Sequence, residues 1–301
     1  TIEGGTFTGG RSNVKNDDYG TLVINDGTFS GGVSQSILSW CNTTITGGTF
    51  TIETAEKPAL YVSSSVMDST VSVTGGTFTG PDAIRVIGTD NLTLDIAGGT
   101  YTGNLNVTDA ESFISGGTFS VDPSDYLADG CGVIEDGTSY VVAGVTELTE
   151  DTVFEGEVFG SFIVPTGSNI TITLEDATIT GLSTADTIYV ENGATLTIAG
   201  TGSVLSGGQT VSAVFNNGTT TLNGGLYAGT SYIGNYVLTN HGVMTINEGV
   251  EVRDISEVPD GVDPVTVSYA ALVENGYSDP TSTNSQIGYV EGVGQAQPSL
   301  T

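Results

Sequence analysis

One four-residue phrase, Gly-Gly-Thr-Phe, constrains this chain more than anything else in it. It occupies Gly4 to Phe7, Gly47 to Phe50, Gly75 to Phe78 and Gly116 to Phe119, with variants at Asp26 to Phe29, Gly98 to Tyr101 and Gly224 to Tyr227. The threonines of the first six copies (Thr6, Thr28, Thr49, Thr77, Thr100, Thr118) are separated by 22, 21, 28, 23 and 18 residues. Self-similarity on that scale means stacked units that share a continuous core, since one such unit cannot bury its own apolar face.

The unit is clearest at Thr21 to Phe29, where Thr-Leu-Val-Ile is followed by Asn-Asp-Gly and then Thr-Phe. Its first part recurs at Gly193 to Ile198, Gly218 to Leu222 and Gly242 to Gly249. Ahead of each of these three lies another apolar run ending in Asn: Ile188 to Asn192, Val211 to Asn216 and Tyr236 to Asn240. The unit therefore reads as strand, Asn-Gly turn, strand, Gly-Gly bend and a third short strand that opens with Thr-Phe. Three short strands in about 22 to 25 residues predict one coil of a parallel β-helix, each coil pairing with the next at roughly 4.8 Å. The handedness rule for parallel crossovers makes the expected coil right-handed. About a dozen coils fit the length, and stacked Asn side chains are expected to form ladders between them.

Alternation places residues such as Leu22 and Ile24, or Leu196 and Ile198, toward the core. The series Phe7, Phe29, Phe50, Phe78, Tyr101 and Phe119 holds one position in successive coils and is expected to stack inward, because Phe lacks the polar tip of a sugar-stacking ring. Trp40, the single tryptophan, is expected to be packed too. Two segments break the frame. Ser120 to Glu157 lacks the motif and reads as turn-rich, irregular chain, and a loop is expected near 253–264, around Pro259 and Pro264. A boundary near Gly144 divides the chain into a first segment, 1–144, closed by the irregular region 120–144, and a second, 145–301.

Two phrases carry a family resemblance. Lys15 to Gly20 leading into Thr21 to Phe29, and Ile114 to Tyr126 with its Asp-Pro-Ser-Asp-Tyr ending, resemble the Gly-Gly-Thr-Phe-rich β-helix surface proteins of Gram-positive gut bacteria and their phages. The resemblance covers most of the chain. It implies a right-handed, pectate-lyase-like β-helix and a location on a cell or virion surface. It also implies that Asp122 to Tyr126 closes one β-helix module and that Val145 to Gly160 opens the next.

Charge narrows the partners. With 35 acidic and 5 basic residues the surface repels nucleic acid, anionic lipid and acidic polysaccharide, and favours solubility and divalent cations. No run of 18 apolar residues exists, so no membrane-inserted helix is expected. The chain opens at Thr1 without Met and reads as a mature or excised segment, and its composition resembles that of secreted or cell-surface proteins.

No catalytic set is predicted. The five cations, Arg11, Lys15, Lys57, Arg85 and Arg253, fall at different coil positions by counting, so neither a lyase base nor a substrate clamp can be built from them. The carboxylate pairs Asp17-Asp18 and Glu175-Asp176 read as solvated turn residues. His241, the sole histidine, has neither a second His nor a Cys beside it in the sequence, so it reads as a turn residue rather than as part of a zinc site or a triad. No cofactor is expected; calcium on scattered acidic turns stays open, with no residue set specific enough to name. Cys41 and Cys131 stand about four coils apart, roughly 19 Å at 4.8 Å per coil, well beyond the limit of about 7 Å for a disulfide. Both are expected to be free thiols.

Leu300 and Thr301, read on into Thr1 to Gly5, match Thr219 to Gly225 without a gap. Thr1, Ile2, Glu3, Leu300 and Thr301 are the expected contacts of head-to-tail assembly, or the cut ends of a longer tandem array. The function expected from the sequence is that of a non-enzymatic, extracellular rod in a surface fibre, filament or adhesin, with copies of itself as partners and host or cell-surface glycans as further ones. A phage virion fibre, a glycan-binding module and a carbohydrate-active enzyme are the alternatives.

Overall fold

The computed structural model describes residues 1–17, 19–63, 67–229 and 237–253, and the backbone of 254, 273–276, 285–290 and 296–297. Among these the chain is almost entirely β, stacked into a parallel β-solenoid, with one 3-10 turn at Ser124–Tyr126 and no α-helix. It divides into two compact units, Thr1–Ala143 and Gly144–Thr301.

In the first unit the repeated motif builds one face. Strands Thr6–Thr8, Thr28–Ser30 and Thr49–Thr51 pair in parallel with each other and with the Thr-Phe and Thr-Tyr segments of Thr77–Ile87, Leu92–Thr108 and Ile114–Phe119. The register is Thr6 to Thr28, Thr49, Thr77, Thr100 and Thr118, so all six motif threonines lie in one row. Each threonine points outward and the aromatic residue after it points in. From Phe7 to Phe119 the six rings stack nearly parallel at 4.7–5.0 Å between centroids, the spacing of the strands themselves. Phe29, Phe50 and Phe78 are fully buried, each contributing about 1.5–3 kcal/mol by leaving water.

Two further faces complete each coil. Ser12–Asn16, Gln35–Ser39 and Pro58–Ser63 continue in register into residues 82–87 and 104–108. Thr21–Ile24, Asn42–Ile45 and Ser69–Val73 continue into residues 92–96. Every second residue on these faces turns inward, giving the buried columns Ile37, Leu60, Ile84 and Ile24, Ile45, Val73, Ile96 beside the rings.

The two glycines of the motif do different work. At the first, a Cβ would lie 2.3–2.4 Å from a carbonyl oxygen of the preceding coil: Asn25 for Gly47, Thr46 for Gly75, Thr74 for Gly98 and Ala97 for Gly116. The second has φ near +102° at Gly48, Gly76 and Gly99, a conformation that side-chain-bearing residues avoid. Space demands the one and backbone conformation the other.

Of the stretch expected to be irregular, Ser120 to Gly130 is turn-rich as expected, with the 3-10 turn at Ser124–Tyr126, whereas the chain that follows is strand-bearing. Cys131–Asp136 and Ser139–Glu147 are both strands, and Tyr140, Val141 and Val142 pair antiparallel with Phe119, Thr118 and Gly117. Short β-branched runs between Gly130 and Gly137, and after it, suffice for pairing without the repeated motif; Ile134 and Val142 are buried there.

The second unit repeats the three-faced coil with an aliphatic core. One face runs through Ser161–Val164, Ile188–Val190, Val214–Asn216 and Leu238–Asn240 to Val273–Gly276. The others carry the inward columns Ile172, Ile198, Leu222, Ile246 and Ile179, Val204, Tyr227, Val252. Tyr227 is the one aromatic ring in the latter. Its hydroxyl donates to the carbonyl of Gly224 at 3.1 Å, as Tyr101 does to Gly98 at 2.8 Å. Where tyrosine replaces phenylalanine in the motif, its buried hydroxyl is thus satisfied by the motif's own first glycine. Most of the loop expected near 253–264 lies outside the described residues.

Candidate binding groove

The second face of the first unit holds the most distinctive surface chemistry among the described residues. Lys15, Leu38, Tyr61, Arg85 and Asn106 occupy the same outward position on five successive coils. Arg11 and Lys57 stand immediately before strands Ser12–Asn16 and Pro58–Ser63 of the same face. Four of the chain's five cations therefore gather on or at the entry of one face, which corrects the expectation that they fall at unrelated positions. That expectation failed because the bends between faces differ in length, so counting from the motif misplaces the next strand.

At the first three coils the face is indented. Arg11, Ser12, Lys15, Gln35, Leu38, Trp40 and Tyr61 line a groove of about 370 Å³. Leu38 forms its floor, only 4% exposed although its side chain points away from the core. Trp40 was expected to be packed, yet it is 37% exposed. It follows the strand Gln35–Ser39 at a corner, its backbone N–H donating to the carbonyl of Asn16 at 3.0 Å, and the corner turns the indole to the rim. The Lys15 ammonium lies 5.2 Å from the Trp40 ring centre and also pairs with the Asp17 carboxylate. Gln35 Nε2 donates to Ser12 Oγ at 2.6 Å. Arg11 is exposed and forms no ion pair with the described residues.

Further along the face Arg85 is held differently. It pairs with Asp82, itself only 5% exposed, and donates to the Glu56 carbonyl at 2.8 Å, while Asn106 Nδ2 donates to the same Asp82 carboxylate at 3.1 Å. This closed network is consistent with a structural role for Arg85. The groove's cations, in contrast, reach solvent.

The other sequence-marked residues do not join this site. Asp17 is engaged with Lys15, and Asp18 lies outside the described residues. Glu175 and Asp176, expected in a turn, sit at an irregularity within the continuous strand Asn169–Thr180. Asp176 adopts the left-handed conformation (φ 53°) that Asp tolerates, and its carboxylate accepts from Thr201 Oγ1 at 2.8 Å. His241 packs edge-on against Phe215 at 5.1 Å in the second unit, where Phe215 also stacks on Tyr189. Arg253 pairs with Glu251. Both cysteines are free thiols, as expected. Among the described residues no three His, Cys, Asp or Glu side chains come together as a metal site, and no helix is long and apolar enough to cross a membrane.

Of the expected assembly residues, Ile2 bridges to Ile24, and the Glu3 carboxylate accepts from Asn25 Nδ2 at 2.8 Å, tying both into the next coil. Thr1 is exposed. Leu300 and Thr301 lie outside the described residues.

Two parts of the groove could have been suspected from sequence: a lone tryptophan on a strand end, and a cation-poor chain with two cations, Arg11 and Lys15, four residues apart. Tyr61 and Gln35 carried no signal, because only the register between coils brings them beside the others. Comparison with family models, with curated proteins and with solved structures found no match for this chain.

Proposed function

We propose that the chain is a non-enzymatic structural segment of an extracellular fibre or adhesin at a cell or virion surface. The observation that carries this reading is the row of six motif threonines with its ladder of six stacked rings. A core of this kind grows by one coil at a time and gives length and stiffness rather than a closed cavity. Its strongly acidic surface keeps such a shaft soluble and separate from its neighbours. End-to-end association of copies through Thr1, Ile2, Glu3, Leu300 and Thr301 belongs to the same proposal. Electron microscopy of the native material is the test. Thin filaments or stalks with a regular axial repeat are expected, and isolated compact particles would overturn the reading. A second reading, that of a glycan-binding module, is favoured by the groove at Trp40 and Tyr61 and can coexist with the first.

A further inference from the structure

We infer that the groove between Arg11 and Tyr61 binds a sugar residue carrying a single carboxylate, at the end of a glycan. Its volume of about 370 Å³ lies in the range of small-ligand sites and suits one or two sugar rings rather than a long chain. Its walls combine two chemistries that a sugar ring needs. Trp40 and Tyr61, above a nearly closed Leu38 floor, offer apolar surface to the C–H face of a ring, while Ser12 and Gln35 offer hydrogen-bonding groups to its hydroxyls.

The charged groups favour an acid over a neutral sugar. The Lys15 ammonium, beside the Trp40 ring, is already paired with the Asp17 carboxylate, so its charge is balanced and the preference for an acid falls to Arg11. Arg11, without an ion pair to the described residues, presents a planar guanidinium that matches a carboxylate with two parallel hydrogen bonds. Ser12 Oγ already accepts from Gln35, so its own hydroxyl hydrogen is free to donate, and the groove is richer in donors than in acceptors.

The net charge of -30 limits how long that ligand can be. A polyanion would extend beyond the groove over a carboxylate-rich surface and be repelled. A single carboxylate beside Arg11 feels mainly the charges within the screening length of about 8 Å at physiological salt. The ligand is thus an acidic terminal sugar, not an acidic polysaccharide. This inference rests on the glycan-binding reading of the groove and not on the fibre reading, since the site is complete within the first unit and its test is a solution titration.

Trp40 is the only tryptophan in the chain, so its fluorescence reports this groove alone. The whole chain is titrated with methyl β-D-glucuronide, with the methyl glycoside of N-acetylneuraminic acid, with methyl β-D-glucoside and with sodium acetate. A saturable change is expected with at least one acidic glycoside, about tenfold tighter than with the neutral glucoside, as one charge-assisted pair implies. Acetate should bind far more weakly than that glycoside. In Arg11→Gln, whose circular dichroism should match the parent because Arg11 is exposed, the tenfold preference should vanish while weak binding of the neutral glycoside persists. Calorimetry with Tyr61→Ala should show weaker binding of acidic and neutral sugars alike. Absence of saturation with both acidic glycosides, equal affinity for acid and neutral sugar, acetate binding as well as the glycosides, or a preference unchanged by Arg11→Gln would each overturn the inference.

Discussion

The side-chain amide of Asn216 donates a 2.7 Å hydrogen bond to the side-chain oxygen of Asn240, its register partner one coil further on. The same amide donates to the Val243 carbonyl at 3.0 Å, and its oxygen accepts from Gly218 N and Thr220 Oγ1. Asn216 is fully buried, so an apolar replacement strands several polar groups away from water. Asn216→Leu is expected to cost roughly 3 kcal/mol or more, at about 1–3 for each group left unpaired. Asn217→Ala loses one part-buried hydrogen bond, to the Tyr189 hydroxyl, and should cost about 1 kcal/mol. Urea unfolding of the two variants measures the difference, and equal losses would count against the ladder.

Position in the ring ladder sets the cost of losing a ring. Phe50 is fully buried and stacked on both sides, so Phe50→Ala should destabilise the first unit by about 3–5 kcal/mol. Phe7, half-buried and stacked only on Phe29 among the described rings, should cost about 1–2 kcal/mol as Ala. Thermal and denaturant melts of the two variants check the order.

The two motif glycines should fail for different reasons. Gly75→Ala places a methyl group against the Thr46 carbonyl, so neighbouring coils must part, at roughly 2–3 kcal/mol. Gly76→Ala is forced into a φ of +102°, at roughly 1–2 kcal/mol. Hydrogen exchange separates the cases: only Gly75→Ala should loosen the amides of Thr46 and Thr74, which hydrogen-bond Ile24 and Ile45 across the coils.

Burial pushes the phenols of Tyr101 and Tyr227 well above their ordinary value near 10. In the unfolded chain both ionise near pH 10, whereas in the folded protein both stay protonated. Above pH 10 the unfolded state therefore binds fewer protons than the native one, and stability falls as pH rises. The loss should steepen by up to about 1.4 kcal/mol per pH unit for each of the two. Tyrosinate absorbance should show both groups titrating only on unfolding, and Tyr101→Phe should flatten the alkaline decline.

Cys41 is 2% exposed, and Cys131 is half-buried with its thiol donating to the Ser115 carbonyl at 3.7 Å. Burial, and next the Asp95 carboxylate, push the Cys131 thiol up, which lowers its thiolate fraction near neutral pH. A thiol reagent should label Cys131 slowly and Cys41 only after denaturation, reaching two thiols in all. Fewer than two in the unfolded, unreduced protein would contradict the free-thiol assignment.

Much of the coil was legible because each of its parts has a local cause. Thr49, Thr77 and Thr100 mark the bend through pairs of glycines that no other residue replaces without strain or collision, and Leu196 declares its face through alternation with polar neighbours. Trp40 was misread because burial was inferred from its apolar neighbours Ile37 and Leu38, while a strand end can turn the next side chain outward. Glu175 and Asp176 were misread as a turn because a strand that bulges uses the same residue types.

By itself the sequence determined the period, the three strands of each coil, the inward ring ladder and the unpaired cysteines, since all of these follow from local geometry repeated at a fixed rise. Only the tertiary structure decided which surface residues meet. Lys57 and Arg85 each stand eight residues after a motif threonine, Thr49 and Thr77, yet Arg85 pairs with Tyr61 and with Lys15's row, while Lys57 falls before its strand begins. Bends of unequal length shift each strand by a residue or more, and one residue reverses the face a side chain occupies. The groove of Arg11, Lys15, Trp40 and Tyr61 exists because the parallel pairing of neighbouring coils sets that register.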